Sequence, residues 1–284
     1  MNQILSLRFV MARHPNQHDD VEVSKDLRNR DNYHMKYKKS ALVTGCNGDI
    51  GFSICEELSK EGFLIIGTDL DKKAKFDIDF YISCELIDFV HDDSSRLKFK
   101  NSVTQILNEN KSDLKVLVNN AALQITKPFD ELTTIDFLNS HIVNSVAPFT
   151  MIKSFESQLR KSKGSIVNIG SIHSKLTKPN FCAYSTSKAS LSGLTRALSI
   201  ELSENITVNT INPGAVETKM LLNGFEGNLD KIKELKKFHP AGKIAKPGEI
   251  SKLVIFLCTN NEGFITGAEI SIDGGIGSRL HDPI

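Results

Sequence analysis

Residues 41–62 read ALVTGCNGDIGFSICEELSKEG, and this stretch decides the fold. Residues 41–45 are a short apolar run ending in glycine, the pattern of a strand buried on both faces. Ile50, Ile54 and Leu58 then recur at helical spacing, and Gly62 closes the run. A strand, a glycine turn and a helix therefore follow in immediate succession. Gly45, Gly48 and Gly51 allow backbone N–H groups to approach a pyrophosphate at the helix N-terminus. The next apolar run, 63–68 (FLIIGT), is a second strand, and Asp69 ends it. An acid about 20 residues beyond such a turn hydrogen-bonds the adenosine ribose of a dinucleotide. Its charge repels a 2′-phosphate, which favours NAD over NADP as cofactor. No Lys or Arg lies in the glycine turn to offset it.

The same alternation continues outward. Residues 80–84 (FYISC) are a third strand, followed by Glu85, an acid placed to contact the adenine. The link from Asp69 to this strand is too short for a long crossover helix. Residues 94–109 are an amphipathic helix, and 114–118 a fourth strand ending in Asn119, Asn120, Ala121 and Ala122. Small residues at a strand's carboxyl end admit a ligand closely, where open parallel sheets bind ligands. A long helix spans 134–160 and contains Asn144. Pro148 lies inside it, removes one backbone hydrogen bond and frees a carbonyl near residue 144. The fifth strand, 165–169, delivers Gly170 and Ser171, and helix 183–203 carries Tyr184 and Lys188 near its start. The sixth strand, 206–211, runs into Asn212-Pro213-Gly214-Ala215-Val216-Glu217-Thr218, a loop able to clamp a ring by backbone contacts. A Lys-rich polar segment at about 217–246 is expected to be a mobile lid. Helix 248–259 and strand 268–272 complete the pattern. The architecture this implies is α/β: a doubly wound parallel sheet, Rossmann-like, in three α/β/α layers and one domain. Right-handed crossovers bring the glycine turn and the strand ends at 119–122, 170–171 and 212–214 to one edge.

Tyr184 and Lys188 stand at i and i+4, on one helix face. An ammonium beside a phenol stabilises the phenolate, so the pair can exchange protons near neutral pH. Ser171 brought to the same spot could hold a carbonyl oxygen. Gln124 and His173 are candidate substrate-pocket residues. No His/Cys cluster has ligand spacing, so no metal is expected.

Composition sets the bounds. The chain has 284 residues, 40% hydrophobic and 24% charged, with a formal net charge of +1. Such a balance gives no overall attraction to nucleic acid or membrane. Five cysteines are scattered without a C-x-x-C pair, which fits reduced thiols in the cytoplasm. No apolar run approaches the length of a membrane span. Residues 1–38 are polar and rich in Asn, His, Asp and Arg, and Arg8 interrupts their one apolar run, arguing against a secretory signal. They are read as a disordered extension or an upstream-start segment, with 39–284 as the folded unit.

Taken together, Thr44-Gly45-x-x-x-x-Ile50-Gly51, Asn119-Asn120-Ala121, Asn144, Ser171, Tyr184-x-x-x-Lys188, Asn212-Pro213-Gly214 and Asp273-Gly274-Gly275 resemble the short-chain dehydrogenase/reductase family over roughly 38–275. The resemblance implies an NAD(P)-dependent oxidoreductase interconverting a secondary alcohol and a ketone. It implies a catalytic set of Asn144, Ser171, Tyr184 and Lys188, with Tyr184 as general acid or base. Lys188 would also hydrogen-bond the nicotinamide ribose, and Asn144 would hold a water. The implied cofactor contacts are Gly45, Asn47, Asp49, Ile50, Gly51, Asp69, Glu85, Leu86, Asn120, Ala121, Ala122, Tyr184, Lys188, Pro213, Gly214, Val216 and Thr218. Homodimers or homotetramers built on helices 134–160 and 183–203 are implied as well. The family's middle glycine falls on Asp49, which is expected to cap the following helix instead. Two other functions compete: an NADPH-dependent 3-ketoacyl-type reductase and a catalytically silent NAD(H)-binding sensor.

Overall fold

The computed structural model describes residues 38–225, 228–260 and 263–280. The extension expected over 1–38 lies, but for Lys38, outside the described residues. Seven strands form one parallel sheet: β1 (Lys39–Thr44), β2 (Leu64–Asp69), β3 (Phe80–Ser83), β4 (Asp113–Asn119), β5 (Ser165–Ile169), β6 (Thr207–Pro213) and β7 (Glu269–Ile272). Their order is β3-β2-β1-β4-β5-β6-β7. The chain winds from the middle toward one edge and then toward the other. Winding therefore reverses between β1 and β4, and the crevice beyond their carboxyl ends is where such sheets take ligands.

Side chains alternate across the sheet, and both faces are covered. Ala41, Val43 and Ile65 pack with Ile54, Leu58, Ile250 and Val254, so α1 (Asp49–Lys60) and α9 (Pro247–Thr259) lie on one face. Leu42, Leu64 and Ile66 pack on the other face with Val103, Ile106, Met151, Phe155 and Leu202. Those residues come from α3 (Asp93–Glu109), α5 (Ala147–Ser162) and the end of α6 (Cys182–Glu201). Burial on both faces explains why the strands read as nearly continuous apolar runs. A short helix, α2 (Leu86–His91), precedes α3 and was not expected. Buried amides then tie α6 to the sheet: Asn119 Nδ2 donates to Asn168 Oδ1 at 2.8 Å, and Asn168 Nδ2 to Thr195 Oγ1 at 2.8 Å.

The long helix expected over 134–160 is α4 (Thr134–His141), a π-helical segment (Ile142–Val146) and α5. Proline has no N–H to donate to the carbonyl of Asn144. The ladder widens by one residue just before it, and Ala147 N–H donates to Ile142 O instead. The polar segment 217–246 contains two helices, α7 (Lys219–Gly224) and α8 (Leu229–Phe238), and Ile232 is buried beneath α8.

Candidate active site

The carboxyl ends of the strands open into one cavity of about 1410 Å³. It runs from the glycine turn and Asp69 to Ser171, Tyr184 and Lys188. Every cofactor-contact and substrate-pocket residue expected from the sequence lines it; Asn144 alone stands behind the wall.

The glycine turn closes by contact with the end of β4. Gly45 sits at φ +67°, and a Cβ there would lie 2.8 Å from Ala121 Cα. A Cβ on Gly51 would lie 2.1 Å from Gly45 O and 2.7 Å from Asn120 Nδ2. Asn120 Nδ2 itself donates to Thr44 O and Gly45 O, each at 3.0 Å. Side-chain atoms are therefore excluded where the first turn of α1 meets the crevice. The carboxylate of Asp69 accepts from Asn47 N–H at 3.0 Å and from Leu70 N–H at 2.8 Å. Each oxygen keeps a further lone pair for a ribose hydroxyl. A glycine turn, a carboxylate fixed at the end of β2 and a cavity leading onward fit a dinucleotide.

At the other end, Ser171 caps a short 3₁₀ turn and accepts from His173 N–H at 3.1 Å. Its own N–H donates to Asn212 Oδ1 at 3.0 Å, which locks the end of β5 to β6. Ser171 and Tyr184 line the cavity side by side. Burial pushes the Tyr184 phenol up to about 12, and the neighbouring Ser171 side chain pulls against that shift. Lys188 is 2% exposed, and burial brings its ammonium down to about 7. Its Nζ donates to Ile169 O at 2.8 Å and lies 5.7 Å from the Tyr184 ring centroid. Among the protein's own groups, burial dominates the phenol. Asn144 is placed by the π-helical segment. Its Nδ2 donates to Leu123 O and Ser187 Oγ, each at 2.9 Å, and its Oδ1 accepts from Leu123 N–H at 2.7 Å. The His173 ring stacks on Phe181 at 4.4 Å and meets Tyr184 edge-on, and burial pulls its imidazole down to about 4.

One expectation needs correction. Gly48, not Asp49, is the N-cap of α1, and no side chain caps that end. Asp49 is already inside the helix, and its carboxylate instead accepts from Lys219 N–H at 2.6 Å, at the start of α7. Glu85 and Leu86 both line the cavity, and the Glu85 carboxylate also caps α2 by accepting from Ile87 N–H at 3.3 Å. The Asn47 side chain is also committed, since Nδ2 donates to Asp71 Oδ2 at 3.0 Å and Oδ1 accepts from Lys75 N–H at 2.9 Å. It pins the loop beyond Asp69.

A family model described as enoyl-(acyl carrier protein) reductase matches residues 45–277. The chain belongs to the short-chain dehydrogenase/reductase family. A 3-oxoacyl-(acyl-carrier-protein) reductase of Buchnera aphidicola subsp. Schizaphis graminum is 32% identical over 248 residues, covering 84% of this chain and 97% of the relative. An acetoacetyl-CoA reductase of Cupriavidus necator is 30% identical over 252 residues, covering 84% and 98%. Among solved structures, the ligand-free aldohexose dehydrogenase of Thermoplasma acidophilum superposes with a TM-score of 0.78 at 28% identity, over 89% of this chain and 99% of that one. This short-chain dehydrogenase/reductase is therefore an oxidoreductase of CH–OH and keto groups that uses NAD or NADP.

Several residues of its site escaped the sequence reading. Asp71 and Lys75 form an ion pair at 2.7 Å beside Asp69. Phe181, Leu176, His239 and Arg279 line the substrate end. Phe181 lies within the signature stretch, three positions before Tyr184, and could have been flagged there. No periodicity or motif marks His239.

Proposed function

We propose that this enzyme is an NAD-dependent dehydrogenase or reductase of a small polar secondary alcohol, with Tyr184 as its general acid and base. The observation that carries this reading is that Ser171, Tyr184 and buried Lys188 line one end of the cavity that begins at Asp69. The nicotinamide supplies the hydride acceptor or donor. Tyr184 Oη passes a proton to the substrate oxygen in reduction and takes it in oxidation, while Ser171 Oγ holds that oxygen in reach. Lys188 Nζ keeps donors beyond the one given to Ile169 O for the ribose and a water. The main-chain carbonyl of Asn144, freed by Pro148, is available to hold that water.

Asp69 supports NAD over NADP, because its fixed carboxylate stands where a 2′-phosphate would sit, while Lys75 is already paired with Asp71. A second reading, an NADPH-dependent 3-ketoacyl-type reductase, is favoured by the names of the 30–32% identical relatives. Initial rates with NAD and NADP over sugar, polyol, steroid and 3-hydroxyacyl alcohols decide between them. A preference for NADP with acyl substrates would overturn the first reading. We further place the protein in the cytoplasm as a homodimer or homotetramer. All five cysteines are free thiols, and Val146 and Phe149 are exposed at the start of α5. Among the described residues no helix is long and apolar enough to cross a membrane.

A further inference from the structure

Carboxylates and cations are segregated along the cavity. Asp49, Asp69, Asp71 and Glu85 line it, and all four stand around the glycine turn and the ends of β2 and β3. No carboxylate lines the end that holds Ser171 and Tyr184. Two cations do: Lys178, on the loop between Ser171 and α6, and Arg279, close to the end of the described chain.

Ring contacts tie Lys178 to the reacting end. Its Nζ lies 4.7 Å from the Phe181 ring centroid. The Phe181 ring lies 6.2 Å from that of Tyr184 and 4.4 Å from that of His173. The ammonium is near enough to the His173 imidazole to add to the lowering that burial causes. Arg279 comes from a segment that touches the same loop, since a Cβ on Gly277 would lie 3.8 Å from Leu176 Cδ1. Both cations are exposed, so their donors are open to a ligand. Arg279 Nη1 donates to Phe238 O at 3.4 Å, and the guanidinium keeps further donors. Other charges on these segments are engaged. Lys175 and Arg196 both pair with Glu269, and the Asp273 carboxylate accepts from Gly275 N–H and Gly277 N–H. Among the described residues, neither Lys178 nor Arg279 has a carboxylate partner. Cations of one sign lining one end of a cleft raise the local concentration of anions there and orient them.

We infer that the substrate alcohol carries a carboxylate, bound by Lys178 in the potential that Arg279 reinforces, so that the enzyme is a dehydrogenase of short hydroxy acids. The assignment rests on the proposed reading that Tyr184 holds the reacting oxygen in this cavity. The carbinol hydrogen leaves as hydride to the nicotinamide and the hydroxyl proton goes to Tyr184, giving the keto acid with its carboxylate unchanged. The spacing limits the length of the acid. Lys178 Nζ, Phe181 and Tyr184 are neighbours in turn, a span that suits a carboxylate a few bonds from the carbinol. A phosphate at the far end of a pantetheine arm lies beyond that reach.

The test sets hydroxy acids against their isosteric amides in the full-length enzyme: 3-hydroxybutanoate against 3-hydroxybutanamide, and 4-hydroxypentanoate against 4-hydroxypentanamide. At low ionic strength kcat/KM is expected to favour each acid by about 3- to 20-fold, mainly through KM. That ratio is expected to shrink in high salt, a readout that needs no variant. Lys178→Gln is expected to lower it by about 2- to 5-fold through the KM of the acid, Lys178→Arg to keep it, and Lys178→Glu to lower it further than Lys178→Gln. Equal KM values for acid and amide in the wild type, a ratio indifferent to salt, or an acid preference that survives Lys178→Gln combined with Arg279→Gln would each overturn the assignment. Acetoacetyl-CoA supplies the contrary arm. If Lys178→Gln raised its KM and left those of the acids alone, the ammonium would be reading a carrier phosphate, and the carboxylate assignment would fall. Oxidation of sugar or polyol alcohols with no turnover of acids would overturn this assignment alone. No turnover of any alcohol with NAD or NADP would overturn the reading of the site beneath it as well.

Discussion

Lys188 is buried and Tyr184 half-buried, and desolvation drives their proton affinities apart from starting values of 10.5 and 10.0. The phenol goes up to about 12 and the ammonium down to about 7. Each shift has a consequence for stability. For Lys188 the folded value lies below the unfolded 10.5. Below pH 7 the ammonium is charged in both states and its burial cost is fully present. From about pH 7 to 10.5 the unfolded chain binds the proton that the folded one has lost, so stability rises with pH. For Tyr184 the folded value lies above the unfolded 10.0, so its contribution is intact below pH 10 and is lost as pH rises toward 12. Urea unfolding as a function of pH should therefore show stability climbing from pH 7 toward 10 and then falling. Lys188→Met should flatten the climb, and an unchanged profile in that variant would refute the assignment of the rise to Lys188. Activity separates the two residues further. Tyr184→Phe keeps the ring packing against His173 and Phe181 but removes the proton carrier. It should lower kcat by about 100- to 10,000-fold while NADH binding, followed by fluorescence, stays nearly intact. Retained turnover would remove Tyr184 from the chemistry.

The elements of this fold were legible because their signals are local. The apolar runs of β1 and β2, the glycine turn and the Tyr184–Lys188 spacing each lie within a few residues of chain. Pro148 likewise announced that the ladder fails near Asn144, although only the structure shows the remedy, a π-helical segment (Ile142–Val146). The illegible features are contacts between distant segments. Asn47 pinning the loop at Asp71 and Lys75, and Glu85 turning to α2, depend on which way a side chain points. His239 owes its place to a turn, Gly274–Gly275, that arrives later in the chain. The glycine turn illustrates the difference. Sequence spacing makes its three glycines look equivalent, yet they are not. A Cβ on Gly51 would overlap Gly45 O at 2.1 Å, whereas a Cβ on Gly48 would meet Gly45 O at an ordinary 3.5 Å, and Gly48 has φ −81°. Gly51→Ala must open the turn and should cost about 1–3 kcal/mol together with most cofactor affinity. Gly48→Ala should leave the melting temperature within about 2 °C of wild type. Thermal melts and NADH titrations of the two variants check this, and equal losses in both would contradict it.

Across the whole molecule, the first helix and the 217–246 segment are joined at one point beside the cofactor crevice. Asp49 accepts from Lys219 N–H across a separation of 170 residues. The carboxylate thus does two things that oppose each other. It holds the start of α7 against α1, and it places a negative charge where a pyrophosphate approaches the first turn of α1, the end of the helix that otherwise favours anions. The two effects can be parted. Asp49→Asn keeps a carbonyl oxygen for Lys219 N–H and removes the charge. Its dissociation constant for NADH should fall by about 3- to 10-fold at low ionic strength. The gain should shrink in 0.5 M salt to the extent that solvent ions screen the wild-type repulsion. Asp49→Ala removes the charge and the acceptor together. It should share the electrostatic gain but free the start of α7, so that trypsin cuts at Lys219 faster than in Asp49→Asn. If Asp49→Asn bound NADH no more tightly than wild type, the carboxylate would be too well neutralised by the α7 backbone to oppose the cofactor. Its role would then be confined to fastening the 217–246 segment over the site.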